Sequence, residues 1–346
     1  MLVIGPRWPQ VGSAGGVVVS FELFLQELAR CDIAYNVIDT DKRNYASMSV
    51  AALTVATRFV PSLISAKCVS MHLKTNDLVY MAPVVVALCN LFQKPVSLRK
   101  FAGNFDDIFS RLGWFRQILV RFALKNADQC FFETQYLVEK FQPYNVATFW
   151  FPNPRPQPQI TRPSKREYRM RLVFVGHVRR EKGIDELLAA ARQLGFRYTL
   201  TIYGAVVDDR YDEMDWSRYP NVTYMGHVPA AGISPALAEH DVLVLPSYRE
   251  GYPGAIIEAL QVGLPVVATR LRGIQEIITD GVEGRLVEPR DVSALVDAIR
   301  DIGESSFRRM SECARDRGRA FDSERVTKRF LEDIGWAARQ EEERGT

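Results

Sequence analysis

The chain has 346 residues and a formal net charge of +3, with 47% hydrophobic and 25% charged residues. That balance is ordinary for a soluble globular protein, and the length suggests two domains. Five scattered cysteines without CxxC spacing and four histidines away from metal-ligand spacing speak against a disulfide framework and a zinc site, and point to a reducing compartment.

No stretch holds the roughly 18 uninterrupted apolar residues of a membrane span. Met1–Gly5 opens directly as a strand without a basic leader, so no signal peptide is expected. Residues 1–160 carry 16 Lys/Arg against 11 Asp/Glu, a net +5, and the remainder carries 28 (44 − 16) against 30 (41 − 11), a net −2. A basic first half suits an anionic membrane surface or an anionic acceptor, and a solvated surface accounts for it equally well. There is no dense basic run or binding motif, so no nucleic-acid partner is expected. The expected location is cytoplasmic, with a peripheral place on the inner face of the cell membrane left open.

Leu2–Gly5 reads as a buried strand, followed by a Gly/Pro-rich loop, Pro6 to Gly16, and a helix from Val17 to Ala29 with Phe21, Phe24, Leu25 and Leu28 on one side. Strand, glycine loop and helix open a βαβ unit. Without GxGxxG there is no dinucleotide fingerprint, but Gly15 and Gly16 allow close approach of a ligand, or simply a tight turn. Ala34–Asp39 is a second strand. Asp39-Thr-Asp41 has the D-x-D form of a metal–sugar-nucleotide site, but charges at strand ends are common and the reading is set aside. Residues 46–66 form an amphipathic helix. Strands are expected at Asp77–Met81 and Pro95–Arg99, the latter followed by the loop Lys100–Asp106, containing Gly103 and Asn104, where doubly wound folds place ligands. A helix from Leu112 to Ala127 carries Trp114, Phe115, Leu119 and Phe122 on its apolar side and Arg111, Arg116, Arg121 and Lys125 opposite, the pattern of a core-facing helix with a wet back, or of one lying on a membrane. Gln129–Phe132 and Thr148–Phe151 complete the first sheet.

Five prolines between Pro152 and Pro163 form a stiff linker. It divides a first domain, 1–163, from a second, 164–322, with a last helix of about 324–340, capped by Ser323, packing back on the first. The second αβ series runs through strands Arg171–Gly176, Tyr198–Gly204, Val222–Gly226, Asp241–Leu245 and Pro265–Thr269, with helices at Ile184–Leu194, Ile233–Glu239, Asp291–Gly303 and Phe307–Ala320. The expected class is α/β, two Rossmann-like doubly wound domains with a cleft between their strand ends.

Two elements of the second domain carry chemistry. In Val175–Gly183 a strand meets a basic turn that opens a helix, with Gly176 and Gly183 permitting the turn and Arg179, Arg180 and Lys182 able to clamp a diphosphate. In Glu250–Glu258, EGYPGAIIE, one carboxylate precedes a Gly/Pro turn, a helix begins at Pro253 with its N–H groups available to a phosphate, and the second carboxylate lies in the early helix. Carboxylates beside a phosphate-binding helix end suit hydroxyls, hence sugars; as isolated features both are equally readable as surface charges.

The ordered set FVGHVRREKG, IYG, MGHVP, DVLVLPSYREGYPGAIIEALQVGLPVVAT and GVEGRLVEPRD resembles the C-terminal domain of a family 4 glycosyltransferase of GT-B fold, densely over about 170–300. The first domain matches loosely, through its Gly-Gly start and RKFAGNF. The resemblance implies that Glu250 contacts donor-sugar hydroxyls, Glu258 the ribose and Lys182 the diphosphate. Arg179 would assist Lys182. Tyr252, Pro253, Gly254 and Ala255 would hold phosphate or sugar, with Gly176, His177, Arg180 and Gly204 around the donor and Gly15 and Gly16 facing the diphosphate. Lys100, Gly103 and Asn104 would lie on the acceptor side. It further implies retention of anomeric configuration, no metal or other cofactor, a UDP- or GDP-sugar donor and a saccharide or lipid-linked saccharide acceptor in envelope or capsule synthesis. Two departures stand out: His177 occupies the position of a usual arginine, and the usual first-domain histidine is absent. A sugar-nucleotide epimerase and a non-catalytic sugar-nucleotide-binding protein on this fold remain open.

Overall fold

Leu2–Gly5 (β1) is buried throughout, as a parallel strand covered on both faces must be. The computed structural model describes residues 1–9, 15–160 and 167–336, and the backbone alone for 48–56. Contacts divide the chain into two units, Met1–Pro156 with the segment from Ser323, and Gln157–Asp322.

In the first unit β1 is followed by α1 (Gly16–Arg30), β2 (Asn36–Asp39), α2 (Met48–Ser65), β3 (Val69–Leu73), α3 (Ala82–Leu91), β4 (Val96–Lys100), α4 (Phe105–Ser110), α5 (Trp114–Asn126), β5 (Gln129–Phe132), α6 (Gln135–Phe141) and β6 (Thr148–Trp150). The strands form one parallel sheet in the order β2-β1-β3-β4-β5-β6. Leu63, Val85, Val86, Val120, Leu124 and Phe141 fill one face. The other is closed by Phe21, Phe24 and Leu28 of α1 against Val326, Phe330 and Ile334 of the C-terminal segment.

The second unit runs β7 (Arg171–Val175), α7 (Ile184–Leu194), β8 (Thr199–Tyr203), β9 (Val222–Gly226), α8 (Ala230–Ala238), β10 (Val242–Leu245), α9 (Gly254–Gln261), β11 (Val266–Thr269), α10 (Arg272–Gln275), β12 (Gly284–Val287), α11 (Val292–Arg300) and α12 (Glu304–Gly318). Its sheet is also parallel, in the order β12-β11-β10-β7-β8-β9. The chain then returns to the first unit as α13 (Ser323–Asp333), packed on α1.

Three expectations change. Asp77–Met81 is a π-helical turn leading into α3, and the strand there is Val69–Leu73. The aromatic side of α5 faces solvent: Trp114, Phe115 and Phe122 are exposed, and Val120, Ala123 and Leu124 take the core. The first part of the proline run is not linker: Phe151–Arg155 is buried, and the Arg155 carbonyl accepts the Ser323 N–H. The Ser323 hydroxyl binds Glu27 at 2.8 Å. The expected domain boundary at 163/164, the Gly12–Ala14 part of the first loop and residues 337–340 of the last helix lie outside the described residues.

Candidate active site

The second unit brings its two signature stretches together. After β7, Arg180–Lys182 forms a 3-10 turn ended by Gly183 at φ 70°, a left-handed conformation suited to glycine. A Cβ on Gly183 would sit 2.1 Å from the Pro246 carbonyl oxygen, so the basic turn lies against the end of β10. The Tyr248 N–H donates to the Glu181 carbonyl at 2.8 Å, and the Tyr248 hydroxyl to Glu186 at 2.6 Å.

That contact sets Lys182 Nζ 2.6 Å from Glu250 Oε1, with side chains 17% and 9% exposed. Glu250 Oε1 also accepts the Ser247 hydroxyl at 2.7 Å, and the Ser247 carbonyl accepts the Thr269 hydroxyl at 2.6 Å. Below, Gly273 at the start of α10 leaves no room for a Cβ, which would come 1.7 Å from the Gly251 oxygen. The Glu250–Gly251 turn is thus held from three sides. Among the described residues no donor reaches Glu250 Oε2, and Lys182 has two further N–H bonds to give. The arrangement can offer a carboxylate oxygen to a hydroxyl and an ammonium to an anion at the same place.

Pro253 precedes α9 with extended backbone, leaving Gly254 and Ala255 as the first helical residues. Their N–H groups meet no acceptor among the described residues, the usual state of a helix start able to take an anion. Glu258 stands half-buried one turn further along, and Tyr252 is buried with its ring 6.1 Å from that of Phe321.

The other cations of the turn are less constrained. Arg179 and Arg180 are exposed. Arg179 Nε is 3.9 Å from Glu181, and the Arg180 N–H donates to Asp208 at 3.1 Å. Burial first, then the charges of Arg179 and Lys182, hold the His177 imidazole below its ordinary pKa, so it is neutral at pH 7 and adds no cation. Gly204 has a packing reason: its φ is 151°, and a Cβ would lie 1.8 Å from the Gly176 oxygen. Gly15 and Gly16 have none. Both are exposed with open space around a Cβ, and the Gly15 φ is −82°.

In the first unit the expected acceptor-side residues separate. Lys100 is buried, donates to the Phe101 carbonyl and lies 4.7 Å from the Phe105 ring centre. Gly103 is buried and Asn104 half-buried just ahead of α4. Around Lys100 the ends of β3, β4 and β5 hold a polar cluster. Arg99 is fully buried, stacked 3.8 Å from the Phe151 centroid and bonded to Ser20 at 3.1 Å; His72 lies 3.2 Å from the Ser70 hydroxyl. Glu133 accepts the Ala102 N–H at 2.9 Å and so fixes a residue with φ 89°. Burial lowers Lys100 to about 8 and Arg99 to about 9, raises Glu133 and pushes His72 well down.

Asp39 and Asp41 serve the loop after β2. Asp39 accepts from the N–H groups of Arg7 and Asp41 and from Asn44, while Asp41 pairs with Arg43 and Lys74. Sequence reasoning missed Tyr248, Thr269 and Gly273 as supports of the Glu250 turn and Glu133 as the anchor of Ala102. Ser247 was visible only as part of the Pro-Ser flank.

Residues 169–305 match the family model described as Glycosyl transferases group 1. An uncharacterized 41.2 kDa protein in the cps region of Klebsiella pneumoniae is 32% identical over 132 residues, covering 38% of this chain and 36% of that protein. The capsular polysaccharide biosynthesis glycosyltransferase CapM of Staphylococcus aureus is 29% identical over 173 residues, covering 47% of this chain and 43% of CapM. The matched segments thus span less than half the length of these relatives. Among solved structures, Anabaena Alr3699/HepE in complex with UDP superposes with a TM-score of 0.75 at 16% identity, over 97% of this chain and 100% of that one. That likeness gives the fold, GT-B.

Proposed function

We propose that this chain, whose residues 169–305 form a glycosyl transferases group 1 domain on a GT-B fold, is a retaining glycosyltransferase. It moves a hexose-type sugar from a UDP- or GDP-sugar to a saccharide or lipid-linked saccharide in capsule or envelope polysaccharide synthesis. The observation that carries this reading is the Lys182–Glu250 pair at 2.6 Å, set between the basic turn and the start of α9. The position of the Klebsiella relative in a cps region and the name of CapM support the polysaccharide context.

In this reading Lys182 binds the diphosphate and stabilises charge building on the leaving group, the preorganised electrostatic help that often dominates catalysis. The free N–H groups of Gly254 and Ala255 hold the same phosphates. Glu250, steadied by Ser247, directs Oε2 to a sugar hydroxyl, and Glu258 takes the ribose hydroxyls. The acceptor attacks from the face the diphosphate leaves, so a phosphate oxygen takes the acceptor proton and no protein base is required. The bond from the anomeric carbon to phosphate breaks as the bond to the acceptor oxygen forms, with configuration retained. The cations and helix start serve in place of a metal. A peripheral position on an anionic membrane would bring a lipid-linked acceptor within reach.

Thermal shift against UDP-, GDP- and ADP-sugars identifies the donor class. Stabilisation is expected from a UDP- or GDP-sugar, undiminished by EDTA, and abolished in Lys182→Ala. A chain that none of these sugars stabilises is not using the site proposed.

A further inference from the structure

We propose that the outward face of α3 and α5 is a docking surface for an anionic lipid bilayer. On α5, Trp114, Phe115, Ile118 and Phe122 are all exposed, Trp114 at 75%. Their spacing of i, i+1, i+4 and i+8 keeps them on one side of the helix. On the adjoining α3, Val84 and Leu91 form a second exposed row together with Tyr80 of the π-helical turn that leads into it, Leu91 at 74%. The two helices pack together, and the Arg116 guanidinium bridges the rows 5.9 Å from the Tyr80 ring centre. Large side chains scattered singly on a surface need no explanation; a contiguous aromatic patch marks an interaction site.

The charge around the patch selects the occupant. Between Lys42 and Ala127 the sequence has three carboxylates, Asp77, Asp106 and Asp107; none is on α5, which carries Arg116, Arg121 and Lys125. Asp106 is buried, and Asp77 accepts the Lys74 N–H at 3.1 Å. Trp and Tyr amid Arg and Lys is the composition that partitions into the headgroup layer of an anionic leaflet. No helix among the described residues is long and apolar enough to cross a membrane, and the contact proposed is with the bilayer surface. The inference gives the peripheral placement proposed above a defined face, and it does not depend on the transfer activity.

The full chain is sedimented with vesicles of phosphatidylglycerol and phosphatidylcholine, and with vesicles of phosphatidylcholine alone. Binding is expected only to the anionic vesicles and is expected to fall with added salt. Trp114→Ser with Phe115→Ser, and separately Arg116→Glu with Lys125→Glu, should each weaken it by about tenfold or more at an unchanged melting temperature. A wild-type chain that stays in the supernatant at low salt, or variants that sediment like wild type, overturns the proposal. So does light scattering that shows a dimer converted to monomer by the serine pair while vesicles go unbound, since the face then belongs to a second copy. Donor-induced thermal shift in the same preparations separates the two readings: a normal shift without vesicle binding removes this face alone, and vesicle binding without a shift removes the transferase reading alone.

Discussion

Both sheets carry charged residues at their C-terminal ends, yet the two units use them in opposite ways. In the first, Arg99, Lys100, Glu133 and His72 are turned inward among Phe101, Phe105 and Phe151, and burial drives their pKa values toward the neutral forms. In the second, Lys182 and Glu250 are paired but within reach of a ligand, beside exposed Arg179 and Arg180. The same position in a doubly wound fold thus hosts a polar core in one unit and a candidate reaction site in the other. Charge at a strand end has no meaning until burial is known, because a charge removed from water is spent on the fold unless a ligand replaces the water.

Lys182 is where the contrast breaks most sharply. If the second unit's charges act on a ligand, Lys182→Ala lowers transfer by about 10²–10³-fold, the loss typical of one preorganised donor to developing charge. The fold should survive, since the residue is at the surface end of a turn held by Gly183 and Tyr248. Nucleotide release from the donor sugar, followed together with circular dichroism, reads both. Transfer near the wild-type rate would place Lys182 among the structural charges and erase the distinction.

The second unit was the more legible, for a physical reason. Its central strands carry the apolar runs Leu172–Val175, Val242–Leu245 and Val266–Ala268, its turns are punctuated by Gly183, Pro246 and Pro253, and its carboxylates sit at fixed offsets from a helix start. Patterns of that kind survive in the sequence because backbone geometry demands them. The first unit hides its design. Its third strand, Val69–Leu73, points Ser70 and His72 into the polar cluster and so loses its apolar signature, while Leu78–Met81 looks like a strand and folds as a helical turn, an ambiguity that periodicity cannot resolve in short apolar runs. On α5 the aromatic residues suggest a core face, yet the residues that fit against the sheet are Val120, Ala123 and Leu124, small enough to let the helix approach. Lys100 follows the same rule: a lysine in a loop after a strand reads as ligand-facing, and only packing shows it buried.

A smaller effect tests how the second unit keeps its pair ready. Ser247 is buried and contributes one hydrogen bond to Glu250 Oε1. Ser247→Ala removes about 1 kcal/mol of positioning, on the order of fivefold in rate. Because the hydroxyl orients Glu250 without touching the donor, kcat should fall while the donor KM stays nearly constant. A fall confined to KM would mean that Ser247 meets the donor itself.

The smallest catalytic effect belongs to Lys100, and its value lies in pH. Lys100→Met should leave transfer within about twofold of wild type, as a side chain spent on the core is expected to do. Its stability profile should nevertheless change shape. Burial lowers the folded-state pKa of Lys100 from 10.5 to about 8. Between those two values the unfolded chain holds a proton that the folded chain has released, so unfolding takes up protons and stability rises with pH across the window. Below about 8 both states are charged, and the folded state bears the full cost of a buried ammonium. Arg99, lowered to about 9, adds a slope of the same sign, so the wild type retains some rise even without Lys100. The measurement is therefore a difference: urea midpoints of wild type and Lys100→Met from pH 7.5 to 10. The variant should be relatively more stable at the low end, and the gap should close as pH rises. A gap independent of pH would mean that Lys100 is not a buried charge, and would return it to the ligand-facing set.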